Sequence, residues 1–177
     1  MVRQQGGNTK NRYLVCHDYG MGGLWWWVWA RSPEEILDTV AEVEIVTDDA
    51  AVQRVTSWRL DEVHLDALPD GPLAGLRDQR SAHRDLPGYG VLADHSLVYL
   101  RDASPEYDGT AYLAELGPDG RRLRQIEQRP DGDTLRTEDW PFNPPIDLRD
   151  PQYAPMEISA EAFEDAWRRA RPDPDAY

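Results

Sequence analysis

Three consecutive residues, Cys16-His17-Asp18, set a nucleophile, a base and an orienting carboxylate side by side. Adjacency works against them. On an extended strand successive side chains point to opposite faces, so Cys16 and His17 cannot meet as thiol and base. The cysteine then reads as a small apolar side chain. His17, Asp18 and Tyr19 stand beside the glycines of Gly20-Met21-Gly22-Gly23, and together they form a corner able to meet a ligand. A glycine-rich loop cradles phosphate where a helix N-terminus follows it. Here a strand pattern follows, so the loop reads as a hairpin turn.

The four histidines, His17, His64, His83 and His95, have no i, i+4 pair of the kind a zinc helix uses. His64 with Asp66, or Asp94 with His95, could contribute to a metal site, but the spacings match no familiar ligand set, and no metal or cofactor is called for. With 33 acidic residues, carboxylate pairs are expected by chance and do not point to glycoside hydrolysis. Arg121, Arg122, Arg124 and Arg129 form a basic run. Strand alternation splits them over two faces, and no aromatic is interleaved to stack on bases. Pairing with nearby carboxylates is the plainer expectation.

The strongest local signal is Leu24-Trp25-Trp26-Trp27-Val28-Trp29-Ala30, which holds four of the seven tryptophans. Period two places Trp25, Trp27 and Trp29 on one face and Leu24, Trp26, Val28 and Ala30 on the other. Two apolar faces predict a central strand covered on both sides. The alternative is that Trp25, Trp27 and Trp29 face outward as an interface stripe.

Charge bounds the partners. The net charge is −14, and residues 32–70 alone carry eleven carboxylates against two arginines, a net of −9. Such an excess disfavours nucleic acid, whose phosphates it repels, and favours a basic protein. Glu34, Glu35, Asp38, Asp48 and Asp49 are the candidate partner-binding carboxylates. A single cysteine excludes an intrachain disulfide and suits a reducing, cytoplasmic setting. No signal-peptide pattern opens the chain, and no apolar run reaches the ~18 residues of a membrane span.

The elements that must position these residues follow in order. Residues 12–17 alternate as a strand, and the tryptophan strand pairs with it. Ser32-Pro33-Glu34-Glu35 reads as a capped helix start with a Ser32/Glu35 capping box, and the helix runs to about Glu42. Residues 43–46 read as a short strand. Thr47 or Asp48 caps a second helix, to about Trp58, with Ala51, Val52, Val55 and Trp58 at helical spacing. Leu60, Val63, Leu65 and Leu68 fit no single period. Pro72 to His83 reads as a helix. Beyond Leu86-Pro87-Gly88-Tyr89-Gly90 the texture becomes short strands at 96–101, 110–116, 121–129 and 134–137, with Pro118-Asp119-Gly120 and Pro130-Asp131-Gly132 as turns. Leu123 and Ile126, three apart, break the alternation and suggest a β-bulge. The five prolines of 140–155 predict an extended strap, and Ser159 caps a final helix to about Ala170. The expected fold is α+β: an antiparallel sheet, built from the N-terminal hairpin and the C-terminal meander, with helices on its faces. It forms a single domain over 12–171, with halves 12–85 and 90–171 and loose termini at 1–11 and 172–177.

Tyr112-Leu113-Ala114-Glu115-Leu116, the two Pro-Asp-Gly turns, Met156-Glu157-Ile158-Ser159 and Phe163…Trp167 together resemble an uncharacterised bacterial domain of unknown function. That domain is a β-meander closed by a helix, similar to small domains grouped with toxin-immunity proteins. The resemblance implies a binding protein with no catalytic residue to carry over. The leading expectation is therefore a non-enzymatic, acidic, protein-binding module, monomeric or homodimeric, with no nucleic acid or membrane as partner. Its sharper form is an immunity- or antitoxin-like inhibitor of a basic protein. The competing expectation is a small-molecule binder or hydrolase using His17, Asp18 and Tyr19. A deep pocket at 17–23 would favour the enzyme, and an acidic face from 34–49 and 61–70 the binder.

Overall fold

Asn11–Asp18 (β1) and Gly23–Ala30 (β2) form the antiparallel hairpin that alternation and the glycine run predict. Their register runs from Asn11 opposite Ala30 to Asp18 opposite Gly23. The computed structural model describes residues 9–18, 20, 22–138 and 140–175, and it shows an α+β chain. Tyr19, one of the candidate residues, lies outside the described set. The chain divides into two compact units, Met1–Ala82 and His83–Tyr177, so the hairpin and the meander belong to separate sheets.

In the first unit Ser32 caps Pro33–Thr39 (α1), its hydroxyl accepting from the Glu35 N–H at 3.2 Å. Glu35 reaches one residue further back than a capping box requires, to the Arg31 N–H at 2.6 Å and to the Arg31 guanidinium. Glu44–Val46 (β3) pairs antiparallel with β1. Asp48 caps Asp49–Thr56 (α2) through the Ala51 N–H at 2.7 Å. Asp61–His64 (β4) then pairs parallel with β2, giving the order β3-β1-β2-β4. A turn of 3-10 helix, Leu65–Ala67, follows at once. Two repeats, 2.0 and 3.0 residues, therefore share the stretch whose apolar spacing fits neither. Pro72–Arg84 (α3) closes the unit. One face of the sheet is the core: Val15, Trp26, Val28, Ala30 and Val63 pack with Ile36 and Val40 and with Leu73 and Leu76 of α3. Burying each such side chain stabilises by roughly 1.5–3 kcal/mol.

The second unit is a five-stranded sheet in sequential order: Val98–Asp102 (β5), Ala111–Leu116 (β6), Arg122–Gln128 (β7), Thr134–Thr137 (β8) and Arg171–Pro172 (β9). The bulge is present. Glu115 faces Arg124 but Leu116 faces Arg122, which leaves Leu123 as the extra residue, 46 % exposed. Ala160–Arg169 (α4), capped by Ser159, lays Phe163, Ala166 and Trp167 over Leu113 and Ile126. The proline strap covers the opposite face, where Ile146, Leu148 and Tyr153 pack with Leu92, Val98, Leu100 and Leu116. Gly120, at φ +80°, has no room for a side chain there: a Cβ would collide with the Ile146 carbonyl, and the Gly120 carbonyl accepts from the Ile146 N–H at 2.9 Å.

Both expected loose ends are held at their inner margins. Lys10 donates to Asp66 at 2.6 Å, and Asn11 already belongs to β1. Pro172 is in β9, and the Asp173 N–H donates to the Arg136 carbonyl at 3.0 Å.

Candidate functional site

Cross-strand partners share a face, so the register of four strands defines the second surface of the first sheet. Glu44 and Val46 come from β3, with Arg12, Leu14, Cys16 and Asp18 from β1. Trp25, Trp27 and Trp29 come from β2, and Glu62 and His64 from β4. The strand is interior, as the tryptophan run predicts, but it is not covered equally on its two sides. Trp26 is 7 % exposed on the core face, whereas Trp25, Trp27 and Trp29 are only partly buried on the other. The expectation of two closed faces is corrected: α1 and α3 both pack on the same side. On the indole face Leu14 and Cys16 are buried, while the surface toward β4 stays open.

The open side carries a chain of polar and aromatic contacts. The Arg12 guanidinium carbon lies 4.4 Å from the Trp27 ring centroid, and Arg12 Nη1 donates to Glu62 at 3.3 Å. Glu62 accepts from the Trp29 indole N–H at 2.6 Å through its other oxygen. Trp29 in turn stacks on His64, with centroids 6.0 Å apart and planes 15° apart. An arginine from one flank and a glutamate from the other thus meet over the middle indole. The Trp29 N–H above all, with Arg12 adding, holds the Glu62 carboxyl below its ordinary range. Further along, Trp25 meets Trp58 edge to face, with centroids 6.0 Å apart and planes 85° apart.

Trp58 lies beyond α2, and it is 46 % exposed. The helix ends two residues earlier, where the Ser57 hydroxyl donates to the Arg54 carbonyl and the Trp58 N–H to the Val55 carbonyl. Helical spacing continued past its stop signal. Arg12 and Glu62 were also not among the expected site residues, and His64 was weighed only as a metal ligand. The alternation Asp61-Glu62-Val63-His64 around one buried valine was the available signal.

The His17–Asp18 corner is differently arranged. The two side chains lie on opposite faces. A carbonyl can only accept, so His17 donates from Nδ1 to the Glu42 carbonyl at 2.8 Å. Asp18 accepts from the Gly20 N–H at 2.7 Å, an Asx turn that shapes the hairpin. Burial first, then the charges of Glu44 and Asp18, pushes the Cys16 thiol up to about 12, so it carries no thiolate at neutral pH. Among the described residues no group of three or more His, Cys, Asp or Glu is placed to hold a metal ion.

Of the acidic candidates, Glu34, Asp38, Asp48 and Asp49 are exposed, and Asp48 also caps α2. Glu35 is clasped by Arg31, whose side chain and backbone N–H keep its carboxyl below the usual range. Lys10, Arg12 and Arg31, the basic residues described before position 32, each pair with a carboxylate of 32–70. The arginine hairpin of the second unit also bonds within the chain: Arg121 to Asp119 and Asn143, Arg122 to Asn143 and Gln125, Arg124 to Glu115 and Glu164, Arg129 to Glu127. A depression of about 380 Å³ lies in that unit between Gln128, Asp133, Thr134, Ala166, Arg169 and Arg171. Arg171 there already donates to both oxygens of Asp133, at 3.0 and 2.6 Å.

Compared with models of protein families, with curated proteins and with solved structures, the chain matches none. Among the described residues no helix is long and apolar enough to cross a membrane.

Proposed function

We propose that the protein is a non-catalytic module that binds a basic protein through the indole face of its first sheet, with the negative charge of residues 32–70 steering the approach. One observation carries this reading: three alternate tryptophans of an interior strand stay partly exposed beside a segment of net charge −9. Large indole surface and complementary charge are what a protein interface uses for anchoring and for steering. The side chains nearest to a catalytic set are already engaged, His17 by the Glu42 carbonyl and Asp18 by the hairpin turn. The sharper form of the proposal is an immunity-like inhibitor of a basic toxin in the cytoplasm, supported by the acid excess.

The test is affinity capture from the native cytosol at low and high salt, with mass spectrometry. The expected result is one basic protein, released by salt. A variant carrying Glu34→Gln, Asp38→Asn, Asp48→Asn and Asp49→Asn, with four fewer negative charges, should retain less of it and show a weaker salt dependence. Asparagine at 48 still caps α2, so the fold is kept. A co-purifying metabolite with no protein retained would overturn the proposal.

A further inference from the structure

Helix α4 closes the second sheet as far as Ile126, which packs under Phe163 and Trp167, and then it ends at Arg169. Gln128 shares that face of β7, and Thr134 of β8 stands opposite it in register. This last cross-strand pair lines the depression of about 380 Å³, together with Ala166 and Arg169 at the end of the helix and Arg171 on β9. The space is open on the side of the turn as well, where a Cβ at Gly132 would meet nothing within 4 Å. Arg171 holds Asp133 side-on, through Nε and Nη2, which leaves its Nη1 edge open. That contact above all keeps the Asp133 carboxyl below its ordinary range, so the pair stays charged. Among the described residues the Arg169 guanidinium, the Gln128 amide and the Thr134 hydroxyl make no hydrogen bond or ion pair. The end of α4 does not engage Arg169 either, since Arg136 donates to the Trp167 carbonyl at 3.3 Å.

We infer that this depression binds a small hydroxycarboxylate, with the carboxylate on Arg169 and the open edge of Arg171 and the hydroxyl on Gln128 and Thr134. The site lies wholly in the second unit, and it goes beyond the protein-binding role of the first. Two arginines against one aspartate leave a single positive charge on the lining, which suits a singly charged anion better than a phosphate dianion. Asp133 has both oxygens bonded to Arg171, so the lining offers no open carboxylate to a cation. A guanidinium matches a carboxylate in plane and in spacing. The Gln128 amide and the Thr134 hydroxyl each donate and accept, as a ligand hydroxyl does. Of the charges outside the lining, Arg129 is paired with Glu127 and also feels Asp131, while Asp173 acts on Arg171. Asp173 opposes a bound anion, so removing its charge should tighten binding.

The experiment is a titration of the full chain with sodium lactate, read from the arginine Nε–H and backbone N–H signals by NMR. Sodium chloride at equal ionic strength is the blank. Saturable shifts confined to residues 128–134 and 169–171 are expected. They should be weaker with sodium propionate, which lacks the hydroxyl, and absent with propylene glycol, which lacks the charge. Arg169→Gln should lower the affinity roughly ten- to hundredfold, and Thr134→Val roughly two- to tenfold. Asp173→Asn should raise it. Arg169 is exposed and has no partner among the described residues, so its replacement keeps the fold, which unchanged dispersion of the other signals verifies. Shifts that never saturate, propionate binding as tightly as lactate, or full affinity in Arg169→Gln would overturn the inference.

Discussion

The two units each set arginine, tryptophan and glutamate together, and they differ in what lies on top. In the first, Arg12, Trp27, Glu62 and Trp29 meet on a sheet face where the indoles stay partly exposed, with Arg12 and Glu62 each 46 % exposed. In the second, Arg124 bonds Glu115 and Glu164 and lies 5.0 Å from Phe163 and 4.9 Å from Trp167. Arg136 adds a second guanidinium 5.1 Å from Trp167. Helix α4 covers that knot: Glu115 is 6 % exposed, Phe163 0 % and Trp167 8 %. The same chemistry thus serves as core under α4 and stays partly exposed on the indole face. Cover, more than composition, separates a structural cluster from a candidate interface.

The sharpest break in that comparison is a pair of tryptophan truncations. Trp167→Ala should cost about 3–5 kcal/mol of unfolding free energy, because it opens a cavity under α4. Trp27→Ala on the open face should cost less than about 2 kcal/mol. Urea unfolding of both variants measures the difference, and equal losses would mean that the indole face is as closed as the knot.

The arginines should divide in the same way. Arg124→Ala leaves Glu115 buried without its cation and should cost about 3 kcal/mol. Replacing the pair together, Arg124→Met with Glu115→Leu, should recover most of that loss. Arg12→Ala, at an exposed pair, should stay within about 1 kcal/mol of the parent.

Acid should weaken both regions with the same sign. Arg124 above all holds Glu164 below its ordinary value of 4.5, and the Trp29 N–H does the same for Glu62. A carboxyl depressed in the folded state contributes stability that is fully present above its unfolded value. The contribution is lost as the pH falls through the folded one. Urea midpoints should therefore drop below pH 4.5, and Glu164→Gln should flatten part of that fall. At the other end, the Cys16 thiol is raised from 9.0 to about 12, so its contribution is complete below pH 9.0 and is lost as the pH rises toward 12. A thiol reagent in mild alkali should label native protein far more slowly than protein in urea. The smallest effect on stability belongs to Trp58→Ala, within about 0.5 kcal/mol, because that ring is 46 % exposed.

Much of the local structure was legible. Ser32, Asp48 and Ser159 cap the helices where their types and spacing place them, because a cap is a contact between residues three apart. The bulge at Leu123 and the turns at Gly120 and Gly132 were likewise visible, since positive φ and broken alternation leave marks in sequence. The site was legible only in part. Trp25, Trp27 and Trp29 were assigned to one face, which period two dictates. Their partners Arg12, Glu62 and His64 come from neighbouring strands, and their register depends on how the sheet is ordered.

By itself the sequence determined which residues share a face, where the helices start, and that the chain is strongly acidic. These follow from the backbone repeat, from contacts a few residues long, and from a count of charges. Only the tertiary structure decided that the hairpin and the meander build different sheets, and that the two apolar faces of the tryptophan strand have different fates. Both sides of that strand are equally apolar in sequence. Which one closes depends on where α1 and α3 pack, and that is a property of the whole unit.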